Sequence, residues 1–328
     1  MVSRDELLDY LKNSQLCALP QSASRMIELS KDPHNGPKEY AEPISADLGL
    51  STQVLRFVNS SFFGFRHKIT SLPMALTLAS VRTIRNFVLW NGLFAVMPNP
   101  HCGPFSTKKL FQDALRRAVF AKTVTERFTD FDVDDVFTCT LLQDMAVPLL
   151  AQKWPNEYAN MIQKSNTQHM RLSTLELELM GWDHASAGGI LALGWGLGRF
   201  IAQVVAQHAN NFFDNNGVCE PSVVGIVALS SRLPKIQDRQ WFEVIPFVNG
   251  YLQMFGPKLT ELAEILKITD EYGERLISQV NLGSMPKSFE EYWRESLGEM
   301  PPTDPEDAQA AEEQMDEYFA QLADRADE

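Results

Sequence analysis

Apolar residues recur along this chain at the i, i+3, i+4, i+7 spacing that gives a helix one buried face. The clearest case is 106–128, STKKLFQDALRRAVFAKTVTERF, where Leu110, Phe111, Ala114, Leu115, Ala118, Val119, Ala121 and Val124 form the stripe. Ser106 stands where a side-chain oxygen can take up the free amides of the first turn. The same periodicity predicts helices over 21–31, 50–59, 81–96, 132–150, 156–168, 184–193, 197–208, 221–232 and 257–267. Period-two alternation of useful length is absent. The breaks Asp32-Pro33, Asn35-Gly36-Pro37, Asn99-Pro100 and Gly103-Pro104 punctuate helices rather than hairpins. The predicted fold class is all-α, a multi-helix bundle.

A turn-rich stretch, 209–220 (ANNFFDNNGVCE), separates the main body from later helices. The division expected is a body over 1–235, a helical extension packed on it over 236–298, and a tail over 299–328. Met300-Pro301-Pro302 stops regular structure, and the acidic charge of 303–328 favours a mobile tail.

Charge sharpens this picture. The formal net charge of the 328 residues is −13, of which 303–328 carry −9 and the rest −4. Phosphate-backbone binding needs clustered Lys and Arg, and neither part shows such a patch, so nucleic acid is not an expected partner. No apolar run approaches the roughly 20 residues of a membrane span. The start MVSRDELLDYLKN is too charged for a secretory signal, which points to a cytoplasmic protein. Cys17, Cys102, Cys139 and Cys219 are scattered, without ligand or disulfide spacing, and are expected reduced. GxGxxG, GxxxxGK[ST] and GxSxG patterns do not occur, which leaves no nucleotide loop of the common kinds and no serine elbow. Gly188-Gly189 and Gly194-Trp195-Gly196-Leu197-Gly198 lie in and after a helix, where small residues allow close packing. Cys139 reads as a small core residue.

Three stretches carry more information together than apart: 47–89, 136–150 and 176–208. They contain Asp47 before a helix ending Asn59-Ser60, then Ile69-x-Ser71-Leu72, and later Gly181-x-Asp183-His184 with Gly188 and Trp195 beyond, all preceded by Leu19-Pro20. This ordered set resembles the HDOD family over roughly 15–235. That family is a regulatory offshoot of the HD-domain metal-dependent phosphohydrolases. The chain departs from the family pattern at Asp47-Leu48, where the family has Asp-Pro, and at Ala79-Ser80, where it has Leu-Gly.

The resemblance implies where a metal-dependent hydrolase would place its ligands. Such enzymes gather His and Asp around divalent metals that acidify a bound water. Matched residue by residue, the first ligand His falls near Asp113, the His-Asp pair becomes Gln143-Asp144, and the Gly-Lys of the phosphodiesterase branch becomes Ala146-Val147. His184 and His208 keep their imidazoles, with Gln207 where a second His often stands. The expected pocket of Asp113, Gln143, Asp144, His184 and His208 is therefore vestigial. Asp144, His184 and His208 are the weak metal candidates, and no catalytic residue, resident metal or cofactor is expected. In the plainer reading Asp144 is a satisfied buried carboxylate, Asp183 an N-cap, His184 a partly exposed first-turn residue, and His208 a partner of the helix dipole.

The resemblance further implies bacterial signal transduction, with other signalling proteins as partners, reached through a helical surface or the acidic tail. Asn59, Ser60, Phe62 and Phe63 are a conceivable interaction surface, although Asn and Ser at a helix end more often bond its last turn. The alternatives are a divergent metal-dependent phosphohydrolase, acting as a nucleotide or cyclic-dinucleotide phosphodiesterase, and a small-molecule sensor using the vestigial pocket.

Overall fold

The structure is a computed structural model that describes residues 4–13, 19–32, 34–60, 63–210, 220–256 and 259–296. It is all-α, with no strand among the described residues. Helices α1 (Arg4–Asn13), α2 (Gln21–Leu29), α3 (Pro37–Ser45), α4 (Leu48–Val58), α5 (Leu72–Leu78) and α6 (Val81–Val96) form the first lobe. Its centre is aromatic: Phe57 of α4 stacks on Phe87 of α6 with ring centroids 4.1 Å apart. None of the described helices is long and apolar enough to cross a membrane.

Next come α7 (Thr107–Phe128), α8 (Val133–Leu142), α9 (Val147–Lys153), α10 (Pro155–Gln168), α11 (Leu172–Met180), α12 (His184–Gly194) and α13 (Arg199–Gln207). They are followed by α14 (Val223–Ser230), α15 (Val244–Phe255), α16 (Leu259–Gln279) and α17 (Phe289–Ser296). Local chemistry sets most starts. Ser106 Oγ accepts from Lys109 N, Asp132 from Asp134 N and Asp135 N, and Ser222 Oγ from Gly225 N.

The helix predicted over 132–150 is in fact two. Pro148 lacks an amide hydrogen, and its ring would strike the carbonyl of residue 144 in a continuous helix. The chain breaks into turns at Gln143–Ala146 and restarts as α9 with Pro148 in its first turn. That break frees Asp144 to point across the bundle.

Helix α7 divides two apolar cores. Phe111, Leu115, Ala118 and Val119 belong to the core shared with the first lobe, while Phe120, Ala121 and Val124 belong to a second core with α14 to α17. An amphipathic stripe predicts one buried face, yet here the opposite face is buried as well. Asp113 and Arg116 lie on it, while Arg117 falls within the stripe between Ala114 and Ala121, and all three are buried. Arg116 places its guanidinium 3.7 Å from the centroid of Phe289 and 3.6 Å from Asp270. Asp270 in turn accepts from the amides of Phe289 and Glu290 at the start of α17, at 2.8 Å each.

Ser80 shows the cost of a departure from the family pattern. It caps α6 by accepting from Thr83 N, but holds φ 66° and ψ 146°, a conformation that only glycine adopts without strain. Ser80→Gly is expected to stabilise the protein by about 1 kcal/mol, since strain relief of about 1–3 kcal/mol exceeds the few tenths lost when a glycine replaces a serine cap. Urea denaturation checks this, and a variant less stable than the parent would refute it.

Candidate functional site

The break after α8 aims Asp144 at α12 and α13. Asp144 Oδ1 lies 3.2 Å from His184 Nε2 and 3.5 Å from His208 Nε2. Its other oxygen, Oδ2, accepts from Arg117 Nη1 of α7 at 2.7 Å. Burial alone would raise the Asp144 carboxyl, but the hydrogen bonds from His184 and His208 and the charge of Arg117 outweigh it and hold it well below the usual carboxylate range.

His184 is positioned by the turn before it. Gly181, at φ 79°, ends α11 in the left-handed region, which lets Asp183 turn back and accept from Ser186 N as the cap of α12. The first residue after that cap points inward. His184 Nδ1 donates to Glu176 Oε2 at 2.6 Å, and its backbone amide donates to the same oxygen at 2.7 Å. The hydroxyl of Tyr158 donates to Glu176 Oε1 at 2.6 Å. Burial would lower the His184 pKa, but the charge of Glu176 and the bonds to Asp144 and Glu176 raise it to about 10. The ring therefore carries a proton on each nitrogen at neutral pH. A partly exposed His184 was expected; it is instead buried, because Glu176, itself fully buried, supplies an anionic partner.

His208 caps the C-terminus of α13, with its Nδ1 2.7 Å from Val205 O and its Nε2 turned toward Asp144. Gly188 and Gly189 bring α12 and α13 this close: a Cβ at Gly189 would meet Ala206 Cβ at 2.7 Å and Ala202 O at 2.9 Å. Asp144, His184 and His208 each offer one ligand atom, all within 4.8 Å of one another, and they are the residues among those described that could hold a metal ion.

Of the other expected pocket residues, Asp113 lines the cavity beside this cluster, and its carboxylate accepts from Ile236 N at 2.9 Å. Burial pushes Asp113 up to about 6 against the charges of Arg117 and Arg116. Gln143 does not line the cavity; its side chain is fully buried and its amide has no hydrogen-bond partner. Cys139 is a buried core residue, its thiol pushed up by burial.

Of the suggested surface at Asn59, Ser60, Phe62 and Phe63, the described residues Asn59, Ser60 and Phe63 turn largely inward. Asn59 donates to Leu55 O and Ile69 O and accepts from Ile69 N, which ties the end of α4 to the following loop. Ser60 is buried, and Phe63 packs edge-on against Phe57 and stacks on Phe65. Phe62 lies outside the described residues. Asn59 satisfies backbone, Ser60 Oγ is buried without a hydrogen-bond partner, and the Phe63 ring packs against the core.

Sequence reasoning missed Arg117, Glu176 and Tyr158. Glu176 stands in LELELM, where nothing distinguishes it from a solvated acid. Arg117 carried a faint signal, since two adjacent arginines interrupt a strongly apolar helix.

An HDOD domain model matches residues 16–211, well over half of the chain. The chain belongs to the HDOD family. Solved structures share its fold at low identity. A candidate phosphohydrolase from Shewanella amazonensis SB2B is 18% identical and superposes with a TM-score of 0.62 over 82% of this HDOD chain and 97% of its own. An HDOD domain protein of unknown function from Geobacter sulfurreducens is 19% identical, with a TM-score of 0.60 over 82% and 98%. A candidate signal-transduction protein from Marinobacter aquaeolei VT8 is 16% identical, with a TM-score of 0.64 over 85% and 65%. An uncharacterized protein of Treponema pallidum (strain Nichols) is 22% identical over 196 residues, and the match spans 58% of this chain and only 38% of that relative's length.

Proposed function

We propose that this HDOD chain is a non-catalytic regulatory protein of the bacterial cytoplasm that transmits a signal through contacts with other signalling proteins. The observation that carries the proposal is the hydrogen-bonded run Arg117–Asp144–His184–Glu176–Tyr158, in which the protein supplies a partner for each charge. Metal-assisted hydrolysis needs imidazole lone pairs and open carboxylate oxygens. Here Glu176 takes the Nδ1 of His184, and Arg117 takes one oxygen of Asp144. Gln143, a neutral amide, stands where the HD pair has its His, and Val147 offers no charge to a leaving group. This donor set does not fit a hydrolytic metal centre. It fits a lock, in which an ionic cluster fastens α12 and α13 to α7 and the α8–α9 break. In this reading 1–235 is the HDOD body and 236–298 an extension covering α7. The acidic tail, 299–328, which lies outside the described residues, offers a second partner contact.

The opposing reading is a divergent phosphohydrolase acting on a nucleotide or cyclic dinucleotide. Its support is that Asp144, His184 and His208 bring ligand atoms within 4.8 Å of one another. Elemental analysis of the purified full chain, with phosphodiesterase and nucleotidase assays in Mn, Fe or Mg, separates the two. Far less than one metal per chain and no metal-stimulated turnover are expected. Stoichiometric metal, with turnover abolished in Asp144→Ala, would overturn the regulatory reading. Affinity capture with the intact chain and with one ending at Met300 then tests the tail, which has no role if both retain the same partners.

A further inference from the structure

The loop between α14 and α15, residues 231–243, lies across the cavity beside Asp144 and supplies Ser231, Lys235, Gln237, Asp238, Phe242 and Glu243 to its wall. Its main chain is pinned at many points. Ile236 N donates to Asp113, Leu233 O accepts from Arg117 Nη2 at 3.3 Å, and Tyr292 Oη donates to Lys235 O and Asp238 O at 3.1 and 2.6 Å. Trp241 Nε1 donates to Arg232 O at 2.8 Å. Such a wall is preformed, so a ligand would meet it without ordering it first.

The carboxylates around the cavity each have a partner within the protein. Asp144 is matched by Arg117 and His184. Glu243 lies 3.3 Å from Arg171 and 3.4 Å from Arg232. Asp113 accepts from Ile236 N, and Asp238 accepts from Lys235 N at 2.7 Å. The donors are not used up. Among the described residues no carboxylate pairs with the half-buried Lys235 ammonium, and Arg117 Nε is buried without a hydrogen bond. Phe105, Leu110, Val147 and Phe242 add apolar lining. The cavity is about 90 Å³, several times the space one water molecule requires.

We propose that this cavity binds a small organic anion, a carboxylate or phosphate on an apolar body, with Lys235 as the principal charge contact. The anionic end meets Lys235, and the apolar body lies against Phe105 and Phe242. Charge-assisted hydrogen bonds from donors that lack partners give such an end its affinity. The inference deepens the regulatory reading, on which it rests, by naming the chemical class of the input signal.

Isothermal titration of the full chain with phenyl phosphate, benzoate and benzyl alcohol tests it. Saturable binding of phenyl phosphate or benzoate, and none of the neutral alcohol, is expected, and whichever anion binds tighter identifies the headgroup. Lys235→Ala, folded by circular dichroism, is expected to bind at least tenfold more weakly, and Lys235→Arg to stay within a few-fold of the parent. No saturable binding of either anion, or equal binding by Lys235→Ala, would overturn the proposal. Phosphate release from phenyl phosphate is followed in the same samples. Release would sink the non-catalytic reading, and with it the role of input signal, whereas binding without release supports both.

Discussion

Asp144→Ala is expected to destabilise the protein by about 3–5 kcal/mol, the range found when one member of a buried ion pair is removed and its partner is left uncompensated. The partner here is Arg117, with 3% of its side chain exposed, and behind it the His184 imidazolium. Neither can turn to water without moving α7 or α12. The mechanism is checked by a double-mutant cycle with Arg117→Met, which removes the orphaned charge and restores apolar packing. The double variant is expected to lose clearly less stability than the two single losses added together. Simple additivity in urea denaturation would show that the cluster is not a lock.

The second large effect is on pH dependence. The folded pKa of His184, about 10, lies above its unfolded value near 6.5, so the folded state holds this proton more tightly. The stabilisation is fully present below about pH 6.5 and falls as pH rises toward 10. Over that window the loss is on the order of 4 kcal/mol. In His184→Gln the slope of stability between pH 7 and 10 should flatten while the basal stability falls. Asp144 acts in the opposite sense: its folded pKa is depressed, so its contribution is present above the usual carboxylate range and is lost on acidification. A parent protein whose stability stays level from pH 7 to 10 would show that His184 is not held charged, and would restore it as a metal ligand.

These predictions concern a cluster that was only half legible beforehand. The Gly-x-Asp-His pattern located His184, and its local physics is readable in one dimension: a glycine that ends one helix, an Asp that caps the next. Asp144 could be named because it adjoins Gln143 in the position of the HD pair. The run 132–150 nevertheless read as one helix, since its apolar periodicity continues through the break that Pro148 enforces. Periodicity records which face is apolar, not whether the backbone hydrogen bonds persist.

Burial of polar groups was the larger blind spot. Helix periodicity assigns Arg116 and Asp113 to a face away from the apolar stripe, and such a face usually meets water. Here α14 to α17 cover it: Ile236 N donates to Asp113, and Arg116 lies against Phe289 and Asp270, all more than a hundred positions away. Asn59 misled in the opposite direction: it looked available to a partner but is consumed by Ile69, ten residues on.

The sequence by itself determined the all-α class, several helix starts through their Ser and Asp caps, and the family. Each of these depends on local spacing or on the identity of a side chain, and both are written along the chain. Only the tertiary structure decided that His184 lies between Glu176 and Asp144, that Arg117 occupies Asp144, and that the 231–243 loop leaves the Lys235 ammonium without a counterion at a cavity. Those are properties of distance and dielectric between segments far apart in sequence, and no one-dimensional pattern encodes them.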